Sequence, residues 1–169
     1  HASTSSYKRW YQEPLITSPL KLLKINLSNS QTFTDNQGMF SASEQDSPQI
    51  IGLNGQRIQI NDRAGSPIQA IGQLTDNTWQ INLEFEKPSM QPWKDKSLAQ
   101  IMIYNKINEI IDFAKKYIDS PWFDSTLVAN ANLAQTCNAH WDGRTINLYS
   151  GSDQCANTGL IADVIWHEW

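Results

Sequence analysis

The chain has 169 residues, 40% hydrophobic and 18% charged, with seven Trp, five Tyr and five Phe; that is enough apolar material for one ordinary core or two small ones, and it excludes a disordered chain. Its formal net charge is −4 and its 13 Lys and Arg are scattered without a basic run, so the electrostatic attraction that dominates nucleic-acid affinity is missing. No stretch approaches the roughly 18 consecutive apolar residues of a membrane helix, and no charged-then-apolar leader opens the chain, so it reads as a soluble, already processed protein without a membrane span.

His1 to Ser6 are polar and of low complexity, and residues 1–18 read as a flexible N-terminal segment. From Pro19 to about Glu86 the apolar residues alternate, as in Leu20 and Leu22, Ile25 and Leu27, Ile58 and Ile60, and Trp79, Ile81, Leu83 and Phe85. Period two predicts half-buried strands, about six or seven of them, and hence a small all-β sandwich over residues 19–90. Turn chemistry separates the runs at Thr34 to Gly38, Asn54-Gly55, Asn61 to Gly65 and Thr75 to Asn77; Asn-Gly between apolar residues predicts a type I′ hairpin, with positive φ at both central positions. Thr32 to Phe40 resembles a hairpin of transthyretin-like and carboxypeptidase-regulatory-like β modules, and an ordinary hairpin without a binding role is the preferred reading there.

Two prolines, Pro88 and Pro92, interrupt this pattern and place a boundary between segments 19–90 and 91–169. Beyond it the period changes. Leu98, Ile101, Ile107, Ile110, Ile111, Ala114, Tyr117 and Ile118 recur every three or four residues, which predicts an amphipathic helix over 97–118 with Ser97 as N-cap and Pro121 as the stop. Strands are predicted from Thr126 and over Thr145 to Tyr149, and a last apolar helix, capped by Asn157 or Thr158, runs into His167-Glu168-Trp169. The two cysteines, Cys137 and Cys155, flank a segment rich in Gly, Asp, Asn and Ser. That spacing suits a disulfide over a surface loop in an oxidising compartment, two free buried thiols being the alternative.

His167 and Glu168 form the first half of H-E-x-x-H, a pattern that sets two histidines one helical turn apart to grip zinc and a Glu beside the first as general base. By itself the dipeptide says little. Taken with the helix ending at Tyr117-Ile118, the strand from Thr126 to Ala134, Cys137-Asn138-Ala139, Thr145 to Tyr149, Cys155 to Thr158 and Ile161 to Trp169, it resembles the N-terminal catalytic subdomain of fungalysin-type and thermolysin-type metalloproteases, the gluzincins. The resemblance covers residues 97–169 and implies α+β architecture: a β-sandwich followed by an incomplete zincin-like subdomain with two helices and a small antiparallel sheet. It implies His167 as first zinc ligand and Glu168 as general base, with the second histidine just beyond Trp169 and the third ligand further on. Asn138-Ala139-His140-Trp141 resembles the edge strand on which such enzymes hold an extended substrate, which assigns Asn138, Ala139 and Trp141 to substrate binding.

Asp163, one turn before His167, is placed to hydrogen-bond its ring as a supporting carboxylate, or is a plain surface aspartate. His140 reads as a solvated loop histidine rather than a ligand. No G-x-S-x-G, phosphate loop or Cys-His protease signature is present. The expectation is therefore a fragment of a secreted or periplasmic zinc endopeptidase that attacks polypeptides with zinc-activated water. It is itself inert and without tightly bound zinc, because one imidazole is far from a tetrahedral site. The remainder of the catalytic domain is the expected partner, with self-association through the surface it leaves bare. The alternative is a binding or adhesion β module joined to a degenerate zincin-like scaffold.

Overall fold

The computed structural model describes residues 1–7, 14–83 and 91–169. Within them the chain is mixed α+β, with twelve strands in three four-stranded sheets and two α-helices. The first sheet takes the order β2 (Leu15–Pro19), β1 (Ala2–Tyr7), β9 (Thr78–Leu83), β8 (Gln73–Thr75), and the second β4 (Gln31–Phe33), β3 (Lys24–Asn26), β5 (Gln49–Ile51), β7 (Gln69–Ile71). The third is ordered β11 (Ala139–Trp141), β12 (Thr145–Ser150), β10 (Leu127–Thr136), β6 (Ile58–Asp62). Helix α1 spans Lys96–Ala114 and α2 spans Ala162–Glu168. Phe85 and the Lys87 to Met90 part of the predicted boundary lie outside the described residues.

Polar residues at the start of the chain build β1, which pairs with β2 antiparallel and with β9 in parallel. Side-chain bonds support it: Ser3 Oγ donates to Asn82 Oδ1 at 2.6 Å and Thr4 Oγ1 to the Leu83 carbonyl at 3.2 Å. Alternation does set the faces of β6, where Ile58 and Ile60 are buried and Gln59 is exposed. It fails at Leu22, whose φ of 54° turns the chain so that Leu23, with Leu20 and Ile25, faces the core. The Asp76-Asn77 turn joins β8 to β9 with positive φ at both residues, as a type I′ hairpin requires. Asn54-Gly55 does not, since neither residue has positive φ.

Gly55 is there for closeness instead. A β-carbon on it would collide with the Tyr104 hydroxyl and the Leu22 carbonyl, and that hydroxyl donates to the Lys21 carbonyl at 2.7 Å. In the Thr34 to Phe40 segment, Asp35 Oδ1 accepts from the amides of Gln37 and Met39, and the Gly38 carbonyl accepts from the Ala2 amide at 2.7 Å. This loop therefore packs against the root of β1.

The cap of α1 is Asp95, whose carboxylate accepts from Leu98 N at 2.9 Å, and not Ser97; an N-cap of this kind contributes about 1 kcal/mol. The helix is also less amphipathic than its spacing suggests. Every residue from Leu98 to Tyr104 is buried, because β1, β6, β10, α2 and the 3-10 turn Thr158–Leu160 surround it. Its buried Gln100 is satisfied by the Ser66 carbonyl at 3.1 Å and the Ile68 amide at 3.3 Å.

The sheet beside α1 is mixed rather than antiparallel. β10 runs parallel to both β6 and β12, and only β11 pairs antiparallel. The register Leu127↔Ile58 and Ala129↔Ile60 puts the buried residues of β6 and β10 on the same face, which is what a period of two demands when one face meets a core. One contiguous apolar cluster consequently contains residues from β1 through α2. Among the described residues no helix is long and apolar enough to cross a membrane.

Gly55→Ala is predicted to lower the unfolding free energy by about 1–3 kcal/mol through overpacking, measured as a lower urea midpoint at unchanged slope; an unchanged midpoint contradicts the close approach to Tyr104.

Candidate active site

Helix α2 begins at Ala162 with Ile161 at its N-cap and no side-chain cap; the Asn157 side chain caps the preceding 3-10 turn, accepting from Gly159 N at 2.9 Å. His167 thus sits in the second turn, exposed, and Glu168 follows half-buried. The pair is shallower than its apolar run implies, so burial exacts no cost for the imidazole. Asp163 is exposed in the first turn of the helix, one turn before His167.

Neighbours on both sides fix α2. Ile165 is buried, and Trp166 donates its indole N–H to the Lys106 carbonyl at 3.0 Å while the Lys106 ammonium lies 5.7 Å from its ring centre. Lys106 is itself buried and pairs with Glu109 at 2.7 Å. Trp169 stacks on Phe123 with ring centres 6.1 Å apart and tilts against Trp122 at 5.5 Å.

On its other side α2 packs against β11. This strand ends its sheet, hydrogen-bonded to β12 and with no strand beyond it among the described residues. Asn138 and Trp141 are exposed at its two ends, and Ala139 is half-buried against the core. The element carrying His167 and Glu168 and the predicted substrate edge are therefore adjacent. His140 packs edge-on to Tyr149 and lies 3.3 Å from its hydroxyl.

Cys137 and Cys155 form a disulfide, with Cα atoms 5.5 Å apart, closing a loop around β11 and β12. Thr158 adds a second tie, donating its hydroxyl to the Asn138 carbonyl at 3.0 Å and accepting from Tyr149 N at 2.8 Å. At the far end of β11, Asp142 accepts from Thr145 N at 2.6 Å, Thr145 Oγ1 at 2.7 Å, Arg144 N at 2.9 Å and Asn147 Nδ2 at 3.1 Å. Those donors, the Thr145 amide foremost, hold its carboxyl well below the usual carboxylate range.

Asn130, Asn132, Asn147 and Asn157 are all buried and hydrogen-bonded to one another or to charged neighbours. Sequence reasoning took Asn157 only as a cap and passed over the other three, whose available signal was Asn at interior positions of two strands, where Asn is depleted and a buried amide needs partners.

Among the described residues no three His, Cys, Asp or Glu side chains come together as a metal site. No family model matches the chain, and no curated protein or solved structure matches it.

Because the Asp142 carboxyl is depressed, its stabilisation is complete above the ordinary value of 3.8 and is lost as pH falls from there toward the lowered one. Denaturant unfolding between pH 6 and 2 should accordingly show the stability gap between wild type and Asp142→Asn closing on acidification; a gap independent of pH contradicts the depressed carboxyl. Replacing both cysteines by Ser should cost about 3 kcal/mol, measured by thermal unfolding, and thiol titration of the native chain should find none.

Proposed function

We propose that this chain is the N-terminal part of the catalytic unit of a secreted zinc endopeptidase of gluzincin type. The observation that carries the reading is the packing of α2, with His167 and Glu168 near its end, against β11, the last strand of its sheet among the described residues, with its Asn138-Ala139-His140-Trp141 sequence. In this role the outer N–H and C=O groups of β11 pair with an extended polypeptide, and the Asn138 side chain and the Trp141 ring contact it at either end. His167 supplies one imidazole, and Glu168 accepts a proton from the attacking water and passes it to the leaving amine.

Zinc, when bound, supplies the Lewis acid that polarises the carbonyl and lowers the pKa of water to about 7. His167 fits as its first ligand because its side chain is exposed on a helix that Trp166 and Trp169 hold in place. The reading needs a second histidine at position 171 and a carboxylate further on. The exposed Phe113, Tyr117, Ile118 and Trp122 are where we place the rest of the catalytic unit or, without it, a second copy of the chain. The disulfide fits the secreted assignment.

A second reading, a peptide-binding module on a degenerate scaffold, has one observation in its favour: β11 offers a strand-addition edge without needing any ligand set. Extending the chain along its own reading frame separates the two. For the peptidase, elemental analysis should find one zinc per chain, lost in His167→Ala, and Glu168→Gln should lower kcat by about 10²–10⁴ with zinc retained. Residues 1–169 alone should hold no stoichiometric zinc after dialysis. A residue other than His at position 171 overturns the peptidase.

A further inference from the structure

A series of side-chain hydrogen bonds crosses the third sheet from the β6 side to its free edge. Arg63, just after β6, donates Nε to Asn130 Oδ1 at 2.9 Å, and its backbone amide bonds the Ala131 carbonyl at 2.8 Å. Asn130 Nδ2 donates to Asn147 Oδ1 at 2.8 Å and to Thr145 Oγ1 at 3.1 Å. Asn147 Nδ2 donates to Asp142 Oδ2 at 3.1 Å and lies 3.4 Å from the His140 carbonyl. A cation starts the series and an anion ends it. Both amides are therefore aligned head to tail, each oxygen toward Arg63 and each N–H₂ toward Asp142, and the opposite setting would aim an N–H₂ at a guanidinium.

Burial makes this alignment consequential. Asn130 and Asn147 are each 5% exposed, whereas Arg63 is exposed and closes the outer end of the series; an amide oxygen orphaned further in costs its desolvation. The Asn130 oxygen accepts from Arg63. Without the guanidinium the Asn130 oxygen loses its donor, and the side chain that bonds Asn147 Oδ1 and Thr145 Oγ1 is no longer held from its outer end. Asn147 Oδ1 then loses its donor, and with it part of what orients the Nδ2 that bonds the Asp142 carboxylate, the Thr145 carbonyl and hydroxyl and the His140 carbonyl beside β11.

The geometry points to Arg63 as a positioning residue for the substrate edge: through Asn130, Asn147 and Asp142 it holds β11 ready to pair with an extended peptide. The inference rests on the reading of β11 as the substrate edge. Arg63 touches neither substrate nor the reacting atoms, and lies in the β-rich half of the chain, for which the protease reading supplies no role.

The test uses the isotope-labelled chain 1–169 and an acetylated, amidated Leu/Phe tetrapeptide as probe. Wild type should show peptide-induced shifts at residues 138–141. Arg63→Ala should weaken that binding about tenfold and speed amide exchange in the β11–β12 ladder by a similar factor, while protection in α1 and the β6–β10 ladder stays within twofold. Arg63→Lys should recover part of both, and adding Arg63→Ala to Asn130→Ala should change little further. Unchanged peptide affinity in Arg63→Ala, with wild type binding, overturns the role of Arg63 alone. Protection lost equally throughout the core also overturns it, showing a merely structural residue. Failure of wild type to bind the peptide at residues 138–141 overturns the substrate edge and this inference with it.

Discussion

Helix α1 has no free face from Leu98 to Tyr104, and that constraint shapes the rest of the molecule. A helix buried from Leu98 to Tyr104 has to be covered on all sides, and neither half of the chain does so alone. The N-terminal half contributes β1 and β6, the C-terminal half β10, α2 and the Thr158–Leu160 turn. Polar anchors then tie the helix to its cover. Asp112 is the point where Lys21, at 3.0 Å, and Arg57, at 2.5 Å, meet it, and Tyr104 bonds the backbone at Lys21. Burial alone would raise the Asp112 carboxyl, but hydrogen bonds from Arg57 and Lys21 outweigh it and leave the group below its ordinary value.

Periodicity is a statement about neighbours along the chain, and it located elements better than their surroundings. Ile58 and Ile60 mark a strand with one buried face, but nothing in them says that the face is shared with Leu127 and Ala129 in parallel register. The i, i+3, i+4 spacing in α1 marks a helix. It does not reveal that Gln100 and Lys106, on the apparent polar side, are buried as well, since their partners Ser66, Ile68 and Glu109 come from tertiary contacts or from a flexible side-chain reach. Leu22 broke the alternation through its backbone angle, and Asn54-Gly55, a strong turn signal, owes its glycine to an aromatic ring 49 positions later in the chain, Tyr104.

The candidate site was legible as an order of motifs and less so as geometry. Residue types placed His167, Glu168 and the Asn138 to Trp141 strand in one reading, and the fold puts the two elements side by side. What the string of letters could not convey is how they are held. The clamp on α2 is built by Lys106, Trp122 and Phe123, far away in sequence, and the support of β11 reaches back to Arg63. Asparagines carry much of that support because an amide both donates and accepts, so it can pass a hydrogen bond along inside a sheet where a lone carboxylate, which only accepts, could not.

Parallel pairing of β6 with β10 also dictates when the protein can become itself. The side-chain bonds along that seam join residues 67 and 70 positions apart, and such closures come late because chain entropy is surrendered before any contact repays it. A polypeptide emerging amino-end first holds Ile58 and Ile60 in the open until α1 and β10 have been made. The upstream strands are then an unfinished wall with sticky inner surfaces, the kind of transient species that chaperones shield. The disulfide around β11 stands apart from this, since it closes across a sequence separation of only 18.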